Sequence, residues 1–331
     1  MNIVQIRPSA YSFYMSQSEP SWDLYEAFLA VMQSGSLSAA SRAMGVAQPT
    51  VRRQIEALES QLGVVLFTRA TNGLVPTELA HATLPYAESI ASTSRALVRS
   101  VSGGKDAERG TVRITASEVV GTEVLPPMLT ALRERHPRLQ LELAVTNRSE
   151  DLLRRDADVA LRMTEPTQAG LVRKRAGRIE LGLFATDAYL ALHPAPKTLQ
   201  QLGDRHVLVG PDRARGTLEA LAAAGLPATA RDFTLRTDSD IAALAAVRAG
   251  FGIGICQVPL SRSPVPLVRV LPKLAFPLDA WVVMHEDLRA VRRVRAVFDH
   301  LVETVGRYAA PTHAASSAVR AARSPRPPPR H

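Results

Sequence analysis

Between residues 22 and about 102 apolar positions recur at helical spacing, and strand-like alternation is scarce. Trp22, Tyr25, Phe28, Leu29 and Met32 mark one face of a first helix ending near Ser34-Gly35. Ser36 is placed to cap a second helix that buries Leu37, Ala40 and Met44, and Gly45-Val46-Ala47 forms a three-residue turn. Gln48-Pro49 opens a third helix, with Pro49 where a missing N–H does no harm. Its stripe is Val51, Ile55, Leu58 and Leu62, opposite Gln48, Thr50, Arg52 and Arg53. Val64 to Phe67 and Leu74-Val75 then flank a turn at Asn72-Gly73, which reads as a two-stranded wing. After Pro76, Thr77-Glu78 begin a helix to about Val101, in which Leu79, Tyr86, Ile90, Leu97 and Val101 form a coiled-coil-like seam. Pro85 is expected to kink this helix, and the bare seam predicts dimerisation.

Beyond a break at Gly103-Gly104-Lys105 the pattern changes. Residues 110 to about 305 alternate short β-rich runs with amphipathic helices, which predicts a parallel α/β architecture. Strands are expected at Thr111–Ala116, Leu139–Val145, Asp158–Arg162, Ile179–Ala185, Phe233–Arg236, Gly252–Val258 and Trp281–Met284. Helices are expected after Ser117, from Asn147 to Glu150 onward, over Asp238–Arg248 and over Val291–Val305. From Tyr308 an Ala/Ser/Pro/Arg tail lacks the apolar content for a core and reads as disordered. The expected organisation is therefore an extension over 1–20, a helix-turn-helix unit over 21–76 and a linker helix over 77–102. An α/β domain over 110–306 and a basic tail over 307–331 follow. Met15 offers an alternative start just ahead of the first helix.

Composition changes this picture little. The 331 residues are 46% apolar and 21% charged, enough for real cores, and no run approaches the roughly 20 apolar residues of a spanning helix. The first residues do not read as a secretory signal, and the single Cys256 excludes an intrachain disulfide framework. A cytoplasmic protein is the expectation. The net charge of +9 is concentrated in the tail, where residues 307–331 hold five Arg and no acid. Residues 20–108 are near neutral, so any case for nucleic-acid binding rests on local placement.

Local placement supplies that case. Two short helices, a tight turn and a third helix with a polar, basic amino-terminal half fit a DNA-reading helix-turn-helix, although trihelical units have other uses. The run SLSAASRAMGVAQPTVRRQIEALESQLGVVLFTR resembles the amino-terminal domain of LysR-type transcriptional regulators, including an L-G-x-x-L-F-x-R wing over Leu62 to Arg69. The resemblance implies a winged helix-turn-helix and a linker helix that pairs subunits into dimers and tetramers. It further implies a two-lobed α/β effector domain like periplasmic binding proteins, its second lobe spanning about 166–262. Gln48, Pro49, Thr50 and Arg52 fall where that family's third helix faces the major groove, Gln48 suiting a two-pointed pair with adenine. Ser36, Arg53 and Arg69 are expected on the DNA as well, Arg53 and Arg69 at phosphates or the minor-groove rim. Two departures stand out: Ala47 and Arg52 replace the usual Ser, and Asn72 replaces a usual basic residue in the wing. The longer, charged Arg52 suggests a different base preference, a guanine.

In the second region Ser117, Asn147 with Ser149, and Thr237 stand at strand-to-helix points that suit an anion, while plain helix caps are the alternative for each. Arg162 ends a strand near the expected crossover, suited to an effector carboxylate or equally to an ion pair. Catalytic signatures are missing: Gly250-Phe251-Gly252-Ile253-Gly254 follows a helix and precedes a strand, the reverse of a dinucleotide loop. No phosphate-binding or zinc-protease motif occurs, and no metal or cofactor is expected. Cys256 reads as a core thiol rather than a redox sensor. The expected partners are double-stranded promoter DNA, a small-molecule effector of anionic character, further copies of the chain, and RNA polymerase, with no membrane. A solute-binding or catalytic α/β protein with a helical oligomerisation module is the alternative from another class, and a DNA-binding protein with an effector-blind cleft is a third.

Overall fold

A computed structural model of the chain describes residues 19–70, 73–101, 108–147, 157–223, 225–226, 229–262 and 264–310. Contacts divide the described residues into two units, one up to Val98 and the other from Arg99 onward. The expected extension, the wing tip at Thr71-Asn72, the Gly103-Gly104 break, and the helix expected from Arg148 lie outside the described residues, as does the tail beyond Ala310.

The first unit holds α1 (Trp22–Ser34), α2 (Leu37–Met44), α3 (Gln48–Leu62), β1 (Phe67–Ala70), β2 (Gly73–Pro76) and most of α4 (Glu78–Val101). The turn between α2 and α3 depends on Gly45, whose φ of 68° is left-handed, and Val46 N–H closes back onto the Ser41 carbonyl at 3.1 Å. On α1 the buried residues are Leu24, Ala27, Phe28, Leu29 and Val31, so the stripe is rotated from the expected one and Trp22 is exposed. The reason is the packing partner: α2 and α3 both press on the arc around Ala27, Phe28 and Val31. Val51, Ile55 and Leu58 of α3 are buried as expected, whereas Leu62 at the helix end is exposed. Phe28 and Phe67 bring the wing strand onto this core, with ring centroids 5.8 Å apart. On α4, Ala80, Ala87 and Ala91 face the core. Leu79, Tyr86, Ile90 and Leu97 remain exposed, Tyr86 by 74%.

The second unit continues with β3 (Gly110–Ala116), α5 (Leu125–Arg135), β4 (Leu139–Val145), β5 (Val159–Arg162), β6 (Leu171–Ala185), α6 (Asp187–Leu192) and α7 (Leu199–Arg205). It is completed by β7 (Val209–Gly210), α8 (Arg215–Ala223), β8 (Leu235–Arg236), α9 (Asp240–Arg248), β9 (Gly254–Gln257), β10 (Val268–Val270), β11 (Phe276–His285) and α10 (Arg292–Ala309). One seven-stranded sheet runs β10-β6-β11-β5-β3-β4, with β9 also on β6. It is mixed, correcting the parallel expectation: β3 pairs parallel with β4 and β5, but β11 runs antiparallel to both β5 and β6. β6 and β11 are the crossover strands. β11 pairs along β6 from Leu171 to Leu181, while β9 and β10 pair with its end, between Leu181 and Ala185. The first half of β6 escaped the pattern because Arg173, Lys174 and Arg175 stand exposed on it.

One face of the sheet packs Val112, Ile114, Leu161 and Val282 against Leu125 and Leu132 of α5 and Val297, Phe298 and Leu301 of α10. Ahead of α5 the helix opens into a π turn over Val120–Val124, because Pro126 and Pro127 supply no N–H to the preceding turn. α10 runs on to Ala309, so Arg307 and Tyr308 belong to a helix and not to the tail. Tyr308 continues the stripe of Leu301 and Val305, and its hydroxyl donates to Gln257 Oε1 at 2.7 Å.

A buried polar node ties the end of α4 into this unit. Asp158 accepts the Arg113 N–H at 2.8 Å and Arg99 Nε at 3.2 Å, and the Arg293 guanidinium donates to the Arg99 carbonyl. Arg99, Asp158 and Arg293 are all buried. Removing the Asp158 carboxylate takes the acceptor from a buried strand N–H and from the Arg99 Nε–H, so Asp158→Ala is expected to lower unfolding free energy by about 3 kcal/mol. Urea denaturation measures it; a change under about 0.5 kcal/mol, typical of a surface site, contradicts the node.

Candidate nucleic-acid interface and ligand cleft

The amino-terminal half of α3 carries Gln48, Pro49, Arg52 and Arg53 exposed and Thr50 half-buried, opposite the buried stripe. α2 begins alongside it. The Ser36 hydroxyl caps α2 by accepting the Ala39 N–H at 3.2 Å, as its position in the sequence predicts. Across from α3, β1 and β2 pair Arg69 with Leu74, and Arg69 is exposed. Between these elements lies a groove of about 410 Å³, to which Ser36, Gln48, Arg52 and Arg69 all contribute. Pro49, Thr50 and Arg53 are not among its lining residues. Among the described residues Arg52, Arg53 and Arg69 have no carboxylate partner, which leaves three guanidinium groups available to an anion such as phosphate.

Sequence reasoning missed three residues here. Ser38 and Glu56 line the groove, Glu56 one turn along α3 from Arg52. Glu59 accepts the N–H groups of Leu66 and Phe67 at 2.6 and 3.0 Å and so fixes where the wing leaves α3. An acidic residue one turn before the wing was the available signal. Thr77 adds a second clamp, its hydroxyl donating to the Val65 carbonyl at 2.9 Å and accepting the Ala80 N–H as the cap of α4.

In the second unit Asn147, Thr237 and Arg162 are each engaged by neighbouring residues. Asn147, not Ser117, caps the helix after β3: its Oδ1 accepts the Glu118 N–H at 3.0 Å. Its Nδ2 reaches Asp240 Oδ2 at 3.3 Å, and Ser239 donates to Glu118 Oε2 at 3.0 Å. These contacts join the helix after β3 to the start of α9, and Arg248 extends the junction with an ion pair to Glu123 at 2.9 Å. Crowding by packed neighbours, then the Glu118 charge, hold the Asp240 carboxyl above its ordinary range. Thr237 accepts the Ser239 N–H at 3.1 Å, while Ser239 caps α9. Asp238 fills an anion position with its own carboxylate, accepting the N–H groups of Asp212, Arg213 and Ala214 ahead of α8. The Arg213 N–H is the largest of the contributions that hold Asp238 below its usual range. Arg162 is buried and donates to Thr115 Oγ1 at 3.0 Å. The structure thus gathers Asn147 and the residues flanking Thr237 around Glu118, which sequence reasoning did not name. Ser149 lies outside the described residues.

Comparison with known proteins agrees with both halves. Residues 22–81 match the bacterial regulatory helix-turn-helix protein, lysR family, and residues 105–306 match the LysR substrate binding domain. The chain belongs to the LysR family of transcriptional regulators. It is 28% identical over 291 residues to a probable HTH-type transcriptional regulator LtrA of Klebsiella pneumoniae, covering 84% of this chain and 93% of that one. It is 33% identical over 263 residues to a probable hydrogen peroxide-inducible genes activator of Mycobacterium leprae, covering 73% and 79% respectively. Its fold is shared with full-length CbnR solved with its target DNA, at a TM-score of 0.62 and 20% identity, over 86% of this chain and 99% of that one. These relatives are regulators, not enzymes, and this LysR-family chain is likewise a regulator with a DNA-binding and an effector-binding domain. Among the described residues no helix is long and apolar enough to cross a membrane.

Cys256 of this regulator lies in β9, buried among apolar neighbours, and burial pushes its thiol up to about 11. A thiol-specific chromogenic reagent at mildly alkaline pH is expected to leave the native protein unlabelled and to detect the thiol after denaturation. Rapid labelling of the native protein contradicts a core role.

Proposed function

We propose that this LysR-family regulator binds promoter DNA through the exposed amino-terminal half of α3. Gln48, Pro49, Thr50 and Arg52 enter the major groove, while Ser36, Arg53 and Arg69 hold the backbone on either side. Two chains pair along the exposed seam of α4, so that two reading helices meet a two-fold site, and dimers associate into tetramers. A small molecule, with an anionic group on Arg162, binds between the lobes near Ser117, Asn147 and Thr237. Its binding alters the subunit arrangement and so the access of RNA polymerase, in the cytoplasm. The observation that carries this reading is the three unpaired guanidinium groups on α3 and the wing, opposite the buried Val51, Ile55 and Leu58.

The test is titration of duplex DNA from upstream of the regulator's own reading frame at several salt concentrations. Arg53→Ala is expected to weaken every sequence about equally and to reduce the salt slope by about 1. Arg52→Ala is expected to cost roughly 1–3 kcal/mol, confined to one base-pair position. If both variants bind like the parent protein, α3 does not read DNA.

A further inference from the structure

Ser38 is the second residue of α2 and Gln48 the first of α3, and the Ser38 hydroxyl donates to Gln48 Oε1 at 3.2 Å. Among the described residues no other group bonds to that hydroxyl. Ser36 already caps α2, and the hydrogen bond from Ser41 ends on the Ser38 carbonyl. Ser38 is exposed, so packing does not account for it either. Gln48 has no other side-chain partner among the described residues, unlike Gln54, whose amide reaches Asp23. Both Ser38 and Gln48 line the groove that also holds Arg52 and Arg69.

We propose that Ser38 is a specificity-determining positioning residue, which holds the Gln48 amide oxygen and presets the side chain to read adenine. A free glutamine amide matches adenine with both ends, its oxygen taking the N6 proton and its nitrogen giving one to N7. An amide oxygen has two lone pairs, so the Ser38 bond leaves one for the N6 proton of adenine and leaves an Nε2 proton for N7. Held by its oxygen, the amide meets the base with its two ends already in order. The bond also fixes a long exposed side chain before DNA arrives, which lowers the ordering cost of binding. Ser38 need not touch a base to act in this way.

This inference rests on Gln48 being a base-reading residue, and the experiment separates the two. The full-length protein and its Ser38→Ala, Ser38→Thr and Gln48→Ala variants are each used to select duplexes from a randomised pool, and the bound fractions are sequenced. Thermal melting beforehand verifies that each variant is folded. The parent protein and Ser38→Thr, which keeps the hydroxyl, are expected to prefer adenine at one position of each half-site. Ser38→Ala is expected to relax that preference by roughly tenfold, with the salt dependence of binding unchanged. Gln48→Ala is expected to lose all preference there. If Gln48→Ala loses the preference but Ser38→Ala selects as the parent does, Ser38 has no positioning role. If Ser38→Ala weakens all sequences alike, its role is in the backbone contact or the fold, and the proposal fails. If Gln48→Ala selects an unchanged consensus, Gln48 does not read bases at all.

Discussion

A helix with one apolar stripe has one face to bury, and α3 spends it on Val51, Ile55 and Leu58. Val51 and Leu58 are fully buried against the core that Phe28 and Ala40 complete. Burial of two such side chains is worth several kcal/mol, each contributing about 1.5–3 kcal/mol, far more than any single exposed polar contact on the helix. The face left over is therefore fixed by hydrophobic packing and not by the polar residues it carries. Gln48, Arg52 and Arg53 stand outward because Val51 and Ile55 stand inward. The wing depends on the same helix, since Glu59 of α3 holds the backbone of Leu66 and Phe67, and Phe67 rests on Phe28. The relation between the proposed reading helix and Arg69 is thus built by apolar packing and one carboxylate.

The second unit follows a different logic, in which buried polar groups set the geometry. Asp158 satisfies a strand N–H and the Arg99 guanidinium at once, so the last turn of α4 and the first residue before β5 are tied to one carboxylate. Such a node adds little net stability compared with apolar packing, but it tolerates only one arrangement. At the junction between the helix after β3 and α9, Asn147, Glu118, Ser239 and Asp240 exchange single hydrogen bonds near the surface. Two carboxylates share that cluster, and burial, then the Glu118 charge, holds Asp240 above its ordinary range. A ligand entering there, as proposed, has hydrogen-bonding groups to exchange and little packing to break.

The amino-terminal unit was legible because its signals are local. Ser36 caps α2, Gly45 ends it, Pro49 opens α3, and each is decided by neighbours a few residues away. In the second unit Leu139–Val145 was legible as a strand from its alternation, although only Leu139 and Leu141 turn inward while Leu143 and Val145 are exposed. The sheet directions were not legible, because whether β11 runs with or against β5 depends on pairing across more than a hundred residues. The charged start of β6 hid a strand whose Arg173 and Arg175 face solvent. At the sites, the cationic groups were readable from their local placement on the third helix and the wing. The residues that position them, Ser38, Glu59, Glu118 and Asp240, act through partners that only the fold brings near.

Footprinting of the full-length regulator on DNA upstream of its own reading frame tests most directly whether paired α3 helices read a promoter. Two protected half-sites related by two-fold symmetry, spaced by whole turns of the duplex and fading as salt rises, are the predicted result. Protection that follows no sequence, or a single unpaired site without symmetry, would contradict it.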